Sequence, residues 1–147
     1  MAHETASVSV GVFMDLLNQF STEFTTNSPI WVVVWVYFMT AILTLAVPFS
    51  FPYREARWIL LGLVLGMIGT IAAFAWFGFT RLTGLGHIVF WTPTLIYMVT
   101  VRGRGDYEKT LFSKWLLLGA FIIGASLLLD VIDALRWLLG ERGPIKV

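Results

Sequence analysis

The sequence predicts an all-α integral membrane protein, with four transmembrane helices in an antiparallel bundle preceded by an N-terminal amphipathic interfacial helix. Three observations carry that expectation. Of the 147 residues, 58% are hydrophobic and 13% charged, against about 45–50% and about 25% in soluble domains; mean hydropathy is +0.82. Four stretches are each apolar over the roughly 20 residues needed to cross a hydrocarbon core. The segments between them are short and carry the Gly, Arg and Lys that punctuate spans. A chain of this length is expected to form a single membrane domain, 1–147.

In residues 7–24, Val10, Phe13, Leu17, Phe20 and Phe24 recur at spacings of three and four, with Asp15, Asn18, Gln19 and Glu23 largely elsewhere on the wheel. That pattern gives an amphipathic helix too polar to span. No Lys or Arg precedes its apolar residues, so it lacks the basic start of a secretory signal and is expected to belong to the mature protein. Residues 25–29, TTNSP, end it, and Pro29 suits the first turn of the next helix. The expected spans are 29–49, 58–79, 82–101 and 115–139, followed by a tail, 140–147. His87 and Pro93 interrupt the third.

Orientation follows from basic residues in short loops. Arg54, Arg57, Arg102, Arg104, Lys109 and Lys114 fall on one side, and Arg81, Arg136, Arg142 and Lys146 on the other. The larger group faces the cytoplasm by this rule, which leaves both termini outside; in a bacterium the membrane would be the cytoplasmic one. Trp31, Trp58, Trp76, Trp115 and Trp137 lie near span ends and suit an interfacial belt. Trp35 and Trp91 lie deeper.

In the second span, Gly62, Gly66, Gly69 and Ala73 follow four-three-four spacing on one face, where small residues let another helix come close. The partner is either a helix of the same chain or another subunit. Tyr37, Thr40 and Thr44 form a hydroxyl stripe on the first span, fit either to line water or to satisfy neighbouring backbone.

The costly constellation is on the fourth span. Ser126, Asp130, Asp133 and Trp137 share a face, and Arg136 is within reach of Asp133. At ~1.5 Å per residue from Lys114, Asp130 lies ~24 Å and Asp133 ~28 Å along the helix, inside or at the edge of a core about 30 Å thick. On the third span His87 lies ~9 Å in from Arg81. Alternate threading puts both on the same side of the membrane, so His87 and Asp130 share a depth. Trp91 and Thr94 continue the His87 face. A charge in a span costs at least ~2.5–3.5 kcal/mol, so it faces protein or water and has a partner.

Several arrangements meet that requirement. Asp133 and Arg136 form an edge ion pair while Asp130 accepts from His87 or a threonine. Alternatively, His87 and Asp130 form an ion or proton path, imidazole being the side chain that ordinarily changes charge between pH 5 and 8. A third arrangement is a cation pocket in which Asp130 and Asp133 meet the faces of Trp91 and Trp35.

Much chemistry is excluded. No cysteine is present, which removes disulfides, thiolate catalysis and Cys-based metal or iron–sulfur sites. The only histidines are His3 and His87, too few for a zinc or bis-histidine haem site, and no phosphate-binding or dinucleotide fingerprint occurs. No metal, cofactor or catalytic residue is expected, and a net charge of +1 argues for no nucleic acid. The leading expectation is a small homo-oligomeric ion channel or ion- or proton-coupled carrier in the lipid bilayer, with its polar cluster in the outer-leaflet half. The alternative is a non-catalytic subunit or binding module of a larger membrane complex. A third option is a lipid- or small-cation-binding sensor.

Overall fold

The computed structural model describes the backbone of residues 2–141 and the side chains of residues 10–141. The protein is all-helical, 85% helix, with no strand among the described residues. In order come α1 (Ala2–Asn27), α2 (Ile30–Thr44), α3 (Ala46–Phe49), α4 (Arg54–Phe77), a 3-10 turn (Arg81–Gly84), α5 (Leu85–Gly103) and α6 (Leu111–Leu138). Four helical stretches are long and apolar enough to cross a membrane: Ile30–Phe49, Arg54–Phe77, Arg81–Gly103 and Leu111–Leu138. Most of the tail, residues 142–147 with Arg142 and Lys146, lies outside the described residues, as does the side chain of His3.

The differences from the expected boundaries have local causes. The first span divides at Leu45 because Pro48 has no N–H and its ring opposes the carbonyl four residues back; Leu45 N–H turns to the Ile42 carbonyl at 3.3 Å instead. The second span, expected from 58, begins earlier, with α4 starting at Arg54, where Glu55 in the first turn suits the positive end of the helix. Thr110 starts α6 ahead of the apolar run, its hydroxyl accepting from Ser113 N–H at 3.2 Å. Pro93 does not break α5, which is continuous across it.

The packed interior is built on α5, which lies along both α4 and α6. The small-residue face of α4 is what brings α5 in: Gly62 abuts Thr94, Gly66 abuts the Trp91 indole, and Gly69 faces Gly86 and Phe90. A methyl group on Gly86 would run into backbone atoms of Gly69 and Thr70. The glycine face is therefore covered by the chain's own helix and is not free as a subunit seam. Ala73, on the same face, is also buried.

The first span joins this interior by its later half, where Met39, Leu43 and Ala46 are buried. Its earlier half stands off from α6. Between Trp31, Val34, Trp35 and Phe38 on one side and Ala125, Leu128 and Leu129 on the other lies an open apolar groove of ≈ 530 Å³. At the opposite end an aromatic cluster closes the structure: Tyr53 stacks on Phe112 at 4.2 Å, and Phe49, Tyr107 and Trp115 surround them. Trp115 is buried and donates to the Ile42 carbonyl at 2.9 Å, so it belongs to this interior and not to an interfacial belt. Trp31, Trp58 and Trp76 are exposed. The last turns of α1 rest on α4 and the segment after it, through Phe20 on Phe74 (5.4 Å) and Phe24 on Phe79 (6.4 Å). Its earlier apolar residues Val10, Phe13 and Met14 are exposed.

Candidate functional site

The site forms where the start of α5 meets the last third of α6. The absence of any break in α6 carries Asp130 ~24 Å from Lys114, while Gly86 seats the first turn of α5 directly on α4. His87 is thereby turned toward α6, and its Nδ1 lies 3.1 Å from Asp130 Oδ2. Both side chains are 21% exposed. Gly84 makes room for the carboxylate: a Cβ there would overlap Asp130 Oδ1. Asp130 thus sits against the N-terminal end of α5, where the helix dipole favours an anion.

An ionised carboxylate only accepts, which assigns the proton to Nδ1 of His87 and leaves Nε2 as the basic nitrogen. Trp91, one turn further along α5, stacks on the imidazole with ring centres 4.0 Å apart and planes 23° apart. Trp91 is 5% exposed and its Nε1 points to the Leu63 carbonyl at 3.4 Å, a long contact for an N–H donor.

Nearer the chain terminus lies a second polar group. Arg81, only 8% exposed, donates from one guanidinium nitrogen to Asp133 Oδ1 at 2.7 Å and from the other to Glu141 Oε2 at 3.2 Å. Its Nε has no partner. Arg136 binds the same Glu141 oxygen through Nε and Nη2, both at 2.9 Å. The expected Asp133–Arg136 pair is therefore replaced by Asp133–Arg81 and Arg136–Glu141. The reason is local backbone: Gly140, at φ +106, turns the chain at the end of α6 so that Glu141 N–H reaches the Arg136 carbonyl at 3.0 Å. A positive φ suits glycine there, and it returns the Glu141 carboxylate over both arginines.

The remaining candidate residues are satisfied separately. Trp35 Nε1 donates to Ser126 Oγ at 3.2 Å, and Ser126 in turn contacts Met39 Sδ at 3.1 Å. Trp35 thus engages neither aspartate, and the face of Trp91 is taken by the His87 imidazole. Thr94 donates to the Phe90 carbonyl at 2.8 Å. Tyr37, Thr40 and Thr44 all lie exposed on the outer side of α2, with Thr44 donating to the Thr40 carbonyl at 2.6 Å, so the stripe does not line an interior path of one chain. Among the described residues no three His, Asp or Glu side chains gather as a metal site.

Sequence reasoning missed Arg81 and Glu141 as partners, and Gly84 as the space Asp130 needs. Arg81 could have been found by extending the depth match of His87 and Asp130 one turn outward. Glu141 is signalled only by Gly140 just past the last apolar residues.

Comparison of the chain with known protein families, with curated proteins and with solved structures returns no match.

Proposed function

We propose that this protein is a small ion channel or ion- or proton-coupled carrier, working as a homo-oligomer, with the His87–Asp130 pair as its proton-handling site. The observation that carries this reading is the 3.1 Å approach of imidazole and carboxylate from two different spans, inside hydrocarbon depth and partly open. A pair used only to hold helices together is served equally well by neutral hydroxyl and amide groups, which avoid the penalty of charge in a span. Imidazole is a side chain suited to passing a proton on, and here it faces a carboxylate that can accept one.

The spans are read as an antiparallel bundle, with α1 lying in the interface through Val10, Phe13, Met14 and Leu17 and both termini outside. Supporting that orientation, Arg54, Arg57, Arg102, Arg104, Lys109 and Lys114 cluster at the opposite end. The His87–Asp130 pair then lies in the outer-leaflet half. Beyond Trp91 the interior of one chain is apolar, with Met98 and Val101 buried, so ions would cross between copies or after a rearrangement of α5. Lipid and small ions are the partners this requires, and no group in the site acts as a catalyst.

Reconstituted protein should dissipate an imposed pH gradient, with or without a coupled cation, and Asp130→Asn should abolish or reshape that flux. Wild-type protein that passes neither protons nor tracer cations at any pH would rule the reading out. The second reading, a non-catalytic subunit of a larger membrane complex, is favoured by the open apolar groove beside α2. It predicts a stoichiometric partner that co-purifies, where a channel or carrier gives a discrete symmetric oligomer.

A further inference from the structure

On the reading of His87 and Asp130 as a proton site, we infer that Trp91 is the lid on its inner side, and that protonation of His87 closes the lid. The two rings stack at 4.0 Å, and the indole fills a slot that exists because Gly66 has no side chain. Past the indole, the Thr94 hydroxyl is spent on its own helix, and Met98 and Val101 are 0% and 1% exposed. The indole is therefore the boundary between the polar pocket and an apolar interior.

What changes at that boundary is the charge on the imidazole. A neutral ring is held against Trp91 by dispersion. An imidazolium over an indole face adds the attraction between a cation and the ring quadrupole, while Asp130 holds it from the other side. Packing in the Gly66 slot holds Trp91, and its polar contact with the Leu63 carbonyl is long, 3.4 Å. The charged groups facing His87 can be named element by element. α6 brings Asp130, and one turn on Asp133, already engaged by Arg81 of the 3-10 turn. α4 packs on the start of α5 through Gly66 against Trp91 and through Gly69 and Thr70 against Gly86, and brings no charge there, its Arg54, Glu55 and Arg57 being at the far end. A proton on His87 is thus read by Asp130 and by Trp91, and the loaded site is the sealed one. Release toward the inner side requires the Nδ1 proton to pass to the Asp130 carboxylate 3.1 Å away, which leaves the imidazole neutral and the proton on the acid. The indole must then swing before the acid gives that proton up.

The test uses the full-length protein in nanodiscs and liposomes. Tryptophan fluorescence of the wild type should fall on acidification as the imidazolium quenches the stacked indole. That fall should vanish in both Trp91→Phe and His87→Gln, with helicity retained. In liposomes, Trp91→Ala should raise the passive proton leak several-fold over wild type; if that variant fails to fold, Gly66→Ala, which pushes the indole from its slot, should do the same. A pH-dependent fall that persists in Trp91→Phe, or is absent from the wild type, overturns the inference. Flux that depends on Asp130 but does not change in the lid variants overturns the lid and leaves the proton site standing. A fall lost in both ring variants, in a protein that carries nothing, upholds the protonation-dependent stack while sinking the transport reading.

Discussion

Replacing Asp133 by Asn should be the most damaging single change among the paired charges, destabilising the protein by about 2–3 kcal/mol. The size follows from what Arg81 would lose. Its guanidinium is 8% exposed and lies 2.7 Å from the carboxylate; two unit charges at that separation attract by about 6 kcal/mol at an effective dielectric of 20. Desolvation offsets much of this, and removing one partner of a buried pair typically costs about 3–5 kcal/mol. Two features reduce the figure here: Asp133 is 27% exposed, and Glu141 remains at 3.2 Å. Glu141→Gln should cost less than about 1 kcal/mol, because its carboxylate is half exposed and screened. Reversible unfolding in mixed micelles, followed by tryptophan circular dichroism, measures both. A double mutant with Arg81→Gln should cost less than the two single changes together, because removing both charges leaves no unpaired ion. Asp133→Asn within about 0.5 kcal/mol of wild type, or ranking below Glu141→Gln, would refute the assignment of Arg81 as a buried charge held chiefly by Asp133.

Two further outcomes follow from packing and from the opposite end of the molecule. A methyl group at Gly69 would sit 2.9 Å from the Gly86 Cα, about 0.5 Å inside ordinary contact, so Gly69→Ala should part α4 from α5 and cost about 1–3 kcal/mol in the same unfolding assay. Gly86→Ala, which meets backbone, should be worse, while Gly11→Ala, with nothing within 4 Å, should be neutral or slightly stabilising. Tyr107, in the loop after α5, has its phenol pKa raised above the ordinary value near 10 by the Glu55 carboxylate of α4, as a hydrogen-bond acceptor first and then with burial and as a charge. A raised pKa means the stabilisation is present below about pH 10 and is lost as pH climbs through the folded-state value; a pH series of unfolding midpoints should show that alkaline loss shrinking in Tyr107→Phe.

The spans were legible because length and apolarity alone decide whether a helix can cross a bilayer, and the register of His87 with Asp130 was legible because threading fixes depth at 1.5 Å per residue. Which basic group answers Asp133 was not. Arg136 is three residues away in sequence, but the left-handed turn at Gly140 supplies Glu141 to Arg136 and leaves Asp133 to Arg81. Spacing along one helix says which groups can meet, and competition from a residue beyond the helix end decides which do. Trp115 illustrates the same limit from the apolar side. Its position near a span end fits an interfacial ring, yet Pro48 splits the first span next to it, and the Ile42 carbonyl takes its N–H. The glycine face announced close packing without naming the partner; Trp91, Thr94 and Gly86 of α5 fill it.

The gap beside α2 makes the surroundings part of the protein's shape. Hydrocarbon tails or a neighbouring helix must fill a cleft whose walls are almost wholly apolar, since water there would have nothing to bond. The span that bounds it is anchored at one end, by Met39, Leu43 and Ala46, and carries a proline joint just beyond. Thicker or more saturated membranes would fill such a wedge differently, and the tilt of the first span, with Trp35 and its hold on Ser126, would answer to them.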